Sequence, residues 1–260
     1  MASDIVPELL SDVQNTFEEN VNNDTRLIRI ANRIRDGTAT LDDAHYYAEY
    51  LGENLSDAFN VVLQPGVLPD DRMYYNIANR TVDPLMRNNF RLINKNATDI
   101  QKHLYELEGL GINPLQGEFP VERVAGLIDK ITESETLMDV LKWLAEPLIN
   151  TSISFYDDWM RENVDFQEKA GMRPKIVRKL GSHEVRTSKK RKYSVPCSWC
   201  QNLAGEYDYS TAPAEVYQRH ESCRCIVTFH DSGKVQDVWS KKVWQASGDT
   251  LNARARAGLT

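Results

Sequence analysis

The chain has 260 residues, 41% of them hydrophobic and 27% charged, with a formal net charge of -7. That is enough apolar material for a real core, and it excludes both a disordered tail and a fibrous or collagen-like chain. The longest apolar stretch, Leu137 to Ile149, is broken by Asp139, Lys142 and Glu146, too short and too charged to span a bilayer.

Along the chain, the first 170 residues read as helices. Val6, Leu9, Leu10, Val13, Phe17 and Val21 recur at helical spacing until Asn22-Asn23-Asp24 interrupts them. Leu27, Ile28, Ala31 and Ile34 resume the pattern, which Asp36-Gly37 stops. Thr40-x-x-Asp43 is a helix-start signature ahead of a stripe of Leu41, Ala44, Ala48, Leu51 and Leu55, ended by Gln64-Pro65-Gly66. A long helix is predicted over Asp70 to Leu107, with a break or kink at Pro84. Gly109, Gly111 and Pro114 then make a loop. Val121 to Ile131 and Glu135 to Phe166, bent at Pro147, complete the helical set. The start carries Asp4 and Glu8 where a secretory signal needs positive charge, so the five Asn-x-Ser/Thr sequons are read as silent.

Composition changes at Ala170-Gly171. From Gly171 onward there are 16 Lys and Arg against 8 Asp and Glu, leaving 15 basic and 30 acidic residues before it. An acidic first two-thirds joined to a basic last third implies two opposed electrostatic surfaces. Residues 171–192 are expected to form a basic linker or loop, although Lys175-Ile-Val-Arg-Lys179 could begin it as a strand. A small subdomain is expected over 193–245 and an irregular tail over 246–260. The fold class is therefore mainly α: a helical N-terminal region followed by a small α+β, zinc-knuckle-like C-terminal subdomain.

All four cysteines fall in that subdomain, as Cys197-Ser-Trp-Cys200 and Cys223-Arg-Cys225, with His220 three residues before Cys223. A Cys-x-x-Cys turn lets both sulfurs face one ion, and an extended Cys-x-Cys places both on one face with Arg224 opposite. Five donors can supply a tetrahedral zinc site with one to spare. Cys197, Cys200 and His220 with Cys223 or Cys225 as the fourth is the favoured set. A redox pair would need a strand-helix setting that is missing here, and two disulfides would need an oxidising compartment. Four protein ligands close a site, which points to structural zinc.

Pro196-Cys-Ser-Trp-Cys-Gln-Asn-Leu-Ala-Gly205, Tyr207-Asp-Tyr209 and Val216-Tyr-Gln-Arg-His-Glu-Ser-Cys-Arg-Cys225 together resemble the C-terminal signature of bacteriophage minor head proteins, the head-morphogenesis family of the Mu F type. Asp165 to Arg178 also looks like that family's approach to the motif, so the resemblance covers about Val164 to Trp239. It implies a virion component made in the host cytoplasm and placed inside the head near the portal. Its implied partners are portal, major capsid or scaffold proteins, with a role in assembly and a possible one in DNA packaging or ejection. The core role carries no enzymatic step. The family often has a proline near the second-cluster histidine, whereas Arg219 and Glu221 flank it here, which reads as variation outside the ligand set.

Arg173 to Lys192 holds nine basic residues and one acid, Glu184. Arg186, Lys189, Lys190, Arg191 and Lys192 are the candidates for nonspecific contact with double-stranded DNA phosphates; a merely solvated loop is the plainer reading. Trp199, Trp239 and Trp244 are expected to pack around the metal site rather than stack on bases. His45 reads as packing, and His103 and His230 show no partner in the sequence. The alternative function is a zinc-containing nuclease or toxin effector acting on DNA through His220 or His230. Against it, Glu215, Glu221 and Asp231 stand in no diagnostic arrangement, and no nucleophile elbow or Gly-rich phosphate loop is present.

Overall fold

The computed structural model describes residues 4–181, 183–187, 190–194, 198–220 and 223–231. Cys197, Lys189, Trp239, Trp244 and the tail 246–260 lie outside the described residues. The order is α1 (Val6–Asn23), α2 (Thr25–Arg35), α3 (Leu41–Val62), α4 (Tyr75–Leu107), α5 (Val121–Thr132), α6 (Leu137–Trp143), α7 (Glu146–Lys169), β1 (Pro174–Lys179), β2 (His183–Thr187), β3 (Lys190–Ser194), α8 (Ser198–Leu203), β4 (Gly205–Asp208) and β5 (Ile226–Asp231). The expected class, a mainly helical region followed by a small α+β subdomain, is the one observed.

Local chemistry sets the helix boundaries. Asp24 separates α1 from α2 by accepting the Arg26 backbone N–H at 2.8 Å, satisfying one of the donors that a helix start leaves open. At the start of α3 the Asp43 carboxylate accepts the Thr40 backbone N–H at 2.8 Å and the Thr40 hydroxyl at 3.0 Å. Two proline expectations need correction. Pro84 does not break α4, which runs unbroken from Tyr75 to Leu107; Pro84 and Arg80, the residue whose carbonyl loses its donor, are both exposed. Pro147 does not bend one long helix but sits in the first turn of α7, where a missing N–H costs nothing.

The core lies where α3 crosses α7, with α1 and α4 against them. Gly52 makes the α3–α7 approach possible: a Cβ there would lie 2.9 Å from Ser152 Cβ and 3.0 Å from Ile149 Cα. Asn89 donates to Ser152 Oγ at 2.7 Å inside this layer. The irregular stretch 108–120 is latched onto α7: Leu115 N donates to Asn163 Oδ1 at 2.8 Å, and Trp159 Nε1 donates to Leu115 O at 2.9 Å. The backbone N–H and C=O of Leu115 are thus met by side chains where no ladder exists.

Residues 171–192, expected as linker or loop, are largely strand. β1 is the centre of an antiparallel sheet ordered β4-β1-β5, and β2 pairs with β3. Ile176 lies opposite Phe229 on β5 and Tyr207 on β4. Alternation along β1 buries Pro174, Ile176 and Arg178 and turns Lys175 and Lys179 outward. Ile176, Val227 and Phe229 join the helical core, with the Phe229 ring 6.4 Å from that of Trp159. The small sheet is therefore seated on the helices.

Candidate metal centre

Three segments converge behind β1. Helix α8 turns the Cys200 sulfur inward; a turn closed by the Cys223 N–H on the His220 carbonyl, at 3.1 Å, brings imidazole and thiol together. Cys200, His220 and Cys223 offer ligand atoms that all lie within 4.8 Å of one another. Cys200 Sγ is 3.1 Å from His220 Nε2 and 3.8 Å from Cys223 Sγ. A tetrahedron with metal–sulfur arms of about 2.3 Å has sulfur–sulfur edges of about 3.8 Å, so the two sulfurs already have the spacing of zinc ligands. Cys200, Cys223 and Cys225 are buried and not joined by disulfides.

Cys225 adjoins this group. Its sulfur accepts from the Cys223 thiol, which pushes Cys223 up to about 12, with burial adding, and brings Cys225 down to about 7. Backbone amides also point at sulfur, Cys225 N–H at Cys223 and Gly181 N–H at Cys225, and such donors favour the thiolate that a metal needs. Of the favoured ligand set, the structure unites Cys200 and His220 with Cys223 and keeps Cys225 beside them.

The residues between the donors fasten the centre to the helical body. Arg219 is paired with Asp157 of α7, its Nη2 2.8 Å from Oδ1 and its Nε on Oδ2, while its Nη1 donates to the Cys225 carbonyl at 2.6 Å. Arg224 points away from the sulfurs, as an extended Cys-x-Cys requires. It reaches Glu49 of α3 at 3.0 Å and Glu146 of α7 at 2.9 Å. Arg219, which sequence reading set aside as variation, is thus a docking residue. Arg178, which sequence reading missed, lies beneath the centre: Nη2 is 3.7 Å from both Cys200 Sγ and Cys223 Sγ, and Nη1 donates to Val216 O at 2.6 Å and Gln218 O at 3.0 Å. Period-two burial along β1 is the signal that could have found it.

Trp199 packs against the buried cysteines, its ring edge-on to His220 at 6.0 Å and 5.2 Å from the Arg178 guanidinium. That matches the expected packing role. His45 is fully buried between Tyr46 and Tyr156, and burial, then the charges of Arg219 and Arg224, hold it neutral. His103 faces the Gly37 carbonyl at 3.1 Å and His230 faces Glu206 at 3.3 Å. Arg186, Lys190, Arg191 and Lys192 lie on the β2–β3 hairpin, Arg186 opposite Arg191 and Lys192 opposite Val185. Their grouping on one short ribbon is a backbone fact; their side chains are outside the described residues.

A polar cleft of about 320 Å³ opens beside His220, with Arg123, Asp158, Arg161 and Tyr217 among its walls. Its carboxylates are committed: Asp157 to Arg219 and Asp158 to Arg123. No helix among the described residues is long and apolar enough to cross a membrane. No protein-family model, no curated protein and no solved structure matches this chain.

Proposed function

We propose that this protein is a structural minor head protein of a tailed bacteriophage, acting in head assembly near the portal, with a structural zinc ion at its Cys/His centre. One observation carries the structural side of this reading. The segment that brings His220, Cys223 and Cys225 together is also the segment whose Arg219 and Arg224 are bound to Asp157, Glu49 and Glu146 on the helices. A metal held there stabilises a docked module. Zinc would be held by Cys200, His220 and Cys223, with a further cysteine closing the site, and would supply folding energy that so small a sheet lacks. The assignment to a phage head rests on the resemblance of residues 164–239 to the head-morphogenesis signature. The acidic helices would face portal, capsid or scaffold protein, and the basic hairpin would contact packaged DNA without reading its sequence.

Purified particles test this reading. About one zinc per chain, in a particle whose copies of this protein lie inside the head at the portal vertex, is the expected result. Absence of the protein from particles overturns it. The full chain should also bind random duplex DNA with an affinity that falls as salt rises, each phosphate contact adding about -0.9 to the log-log slope. The nuclease alternative needs a free general base near the metal, and the carboxylates of the adjoining cleft are already bound to arginines. Metal-dependent plasmid cleavage that His230→Ala abolishes would restore that alternative.

A further inference from the structure

We infer that Arg178 is the built-in counter-charge of the metal centre, facing the Cys200 and Cys223 sulfurs and setting how tightly the site retains a divalent ion. This rests on the reading of the centre as a metal site, and it deepens that reading. Arg178 is 1% exposed, and a guanidinium cannot give up its proton in a protein. A buried positive charge needs a compensating negative one. Among the described residues no carboxylate pairs with Arg178. Its contacts are two backbone carbonyls, the Trp199 ring, and the sulfurs of Cys200 and Cys223 at 3.7 Å each.

Carbonyls and an aromatic face supply partial charge only. The sulfurs are the groups in contact that can carry a full negative charge, and they carry it when they ligate a metal. With neutral thiols the cation is uncompensated. With thiolates alone the charge is balanced but the repulsion between sulfurs 3.8 Å apart remains. A divalent ion bound by three thiolates and one imidazole leaves a net charge of -1, which one guanidinium neutralises. The fork geometry suits this work. Nη1 is pinned by Val216 and Gln218, so Nη2 is directed at both sulfurs at once. Arg178 is thus a positioning residue, outside the ligand set, acting through the ligands it touches.

The test is metal affinity of the full chain, measured with zinc(II) by chelator competition and with cobalt(II), whose absorption reports thiolate ligation. Arg178→Gln keeps a polar group and removes the charge; Arg178→Lys keeps the charge. The Gln variant should lose about 10- to 100-fold in affinity, the range expected for residues that orient metal ligands, and the Lys variant should stay within about three-fold of wild type. A Gln variant with wild-type affinity, or a Lys variant as weak as the Gln variant, overturns the inference. If the Gln variant does not fold, the Lys variant decides alone: a loss of about ten-fold or more counts against charge compensation. Wild-type protein that takes up no thiolate-bound metal overturns the metal centre itself, whereas wild-type loading with unchanged Gln affinity overturns only the role of Arg178.

Discussion

Arg224 Nε lies 3.0 Å from a Glu49 carboxylate oxygen, joining the residue between Cys223 and Cys225 to the middle of α3 across 175 positions of sequence. The same guanidinium meets both oxygens of Glu146, at 3.0 and 2.9 Å, and Asn150 at 3.3 Å. The side chain of Arg224 is 3% exposed. A buried charge so enclosed costs much when its partner is removed, although replacing the whole group by apolar residues can be neutral. Arg224→Met should therefore destabilise the protein by about 3–5 kcal/mol, because Glu49 and Glu146 are left facing each other. Urea denaturation of wild type and variant measures it, and a change below about 1 kcal/mol would mean that water already screens the pair.

Metal removal should act unevenly. The helices bury their own core through α3, α4 and α7, whereas the sheet leans on the Cys/His centre and two arginine clamps. A strong zinc chelator should raise amide exchange in β1, β5 and residues 214–220 while α3 and α7 keep their protection. Hydrogen-exchange mass spectrometry separates the two regions. Equal loss throughout would show that the helical body needs the metal too.

The helices were legible because their apolar residues repeat at helical spacing: Leu9, Val13 and Phe17 face inward as the pattern demands. The cysteine spacing likewise foretold that Cys200, His220 and Cys223 would meet. What escaped was polar. Arg178 looks in sequence like part of a basic, solvated run, and a linear pattern does not say that Arg219 and Arg224, beside the donors, find acids on the helices. Their partners, Asp157, Glu49 and Glu146, lie on helices whose apolar stripes gave no reason to single them out. β1 was legible only as an alternative to a loop, since its inward-facing positions include a charged residue, Arg178, where an apolar one would mark a strand. The prolines were misread because proline's effect depends on where the freed carbonyl points, and a linear pattern does not contain that.

Gly181 is a sharp test of the docking geometry. A Cβ there would lie 1.7 Å from the Arg224 carbonyl oxygen and 3.1 Å from the Cys225 nitrogen. Both obstacles are backbone, so no side chain can move aside. Gly181→Ala should push the end of β1 away from the Cys-Arg-Cys segment and lower both thermal stability and zinc affinity. Gly109→Ala and Gly126→Ala, where a Cβ meets nothing within 4 Å, are the comparison. They differ usefully, since Gly109 has φ +72°, where an alanine is strained as it is not at Gly126. An alanine at 181 that binds zinc as wild type does would refute the close approach.

Glu49 gives the pH dependence a sign. Burial raises its carboxyl from 4.5 to about 7 despite the opposing charge of Arg224; Glu53 raises it further, and Arg219 and Arg26 pull it down. Between those values the folded protein binds a proton that the unfolded chain has released. Stability contributed by this group is therefore greatest below about pH 4.5 and falls as the pH rises to about 7, by at most about 1.4 kcal/mol per unit. Above that it is level. Glu49→Gln fixes the neutral form, so its unfolding free energy should lack this decline, and the variant should gain on wild type steadily from pH 5 to 7. Glu146, one-third exposed and held by both of its oxygens, keeps Arg224 paired while Glu49 titrates. Parallel pH profiles for Glu49→Gln and wild type would mean that Arg224 holds Glu49 ionised throughout, and that the charge it balances is shared by both acids.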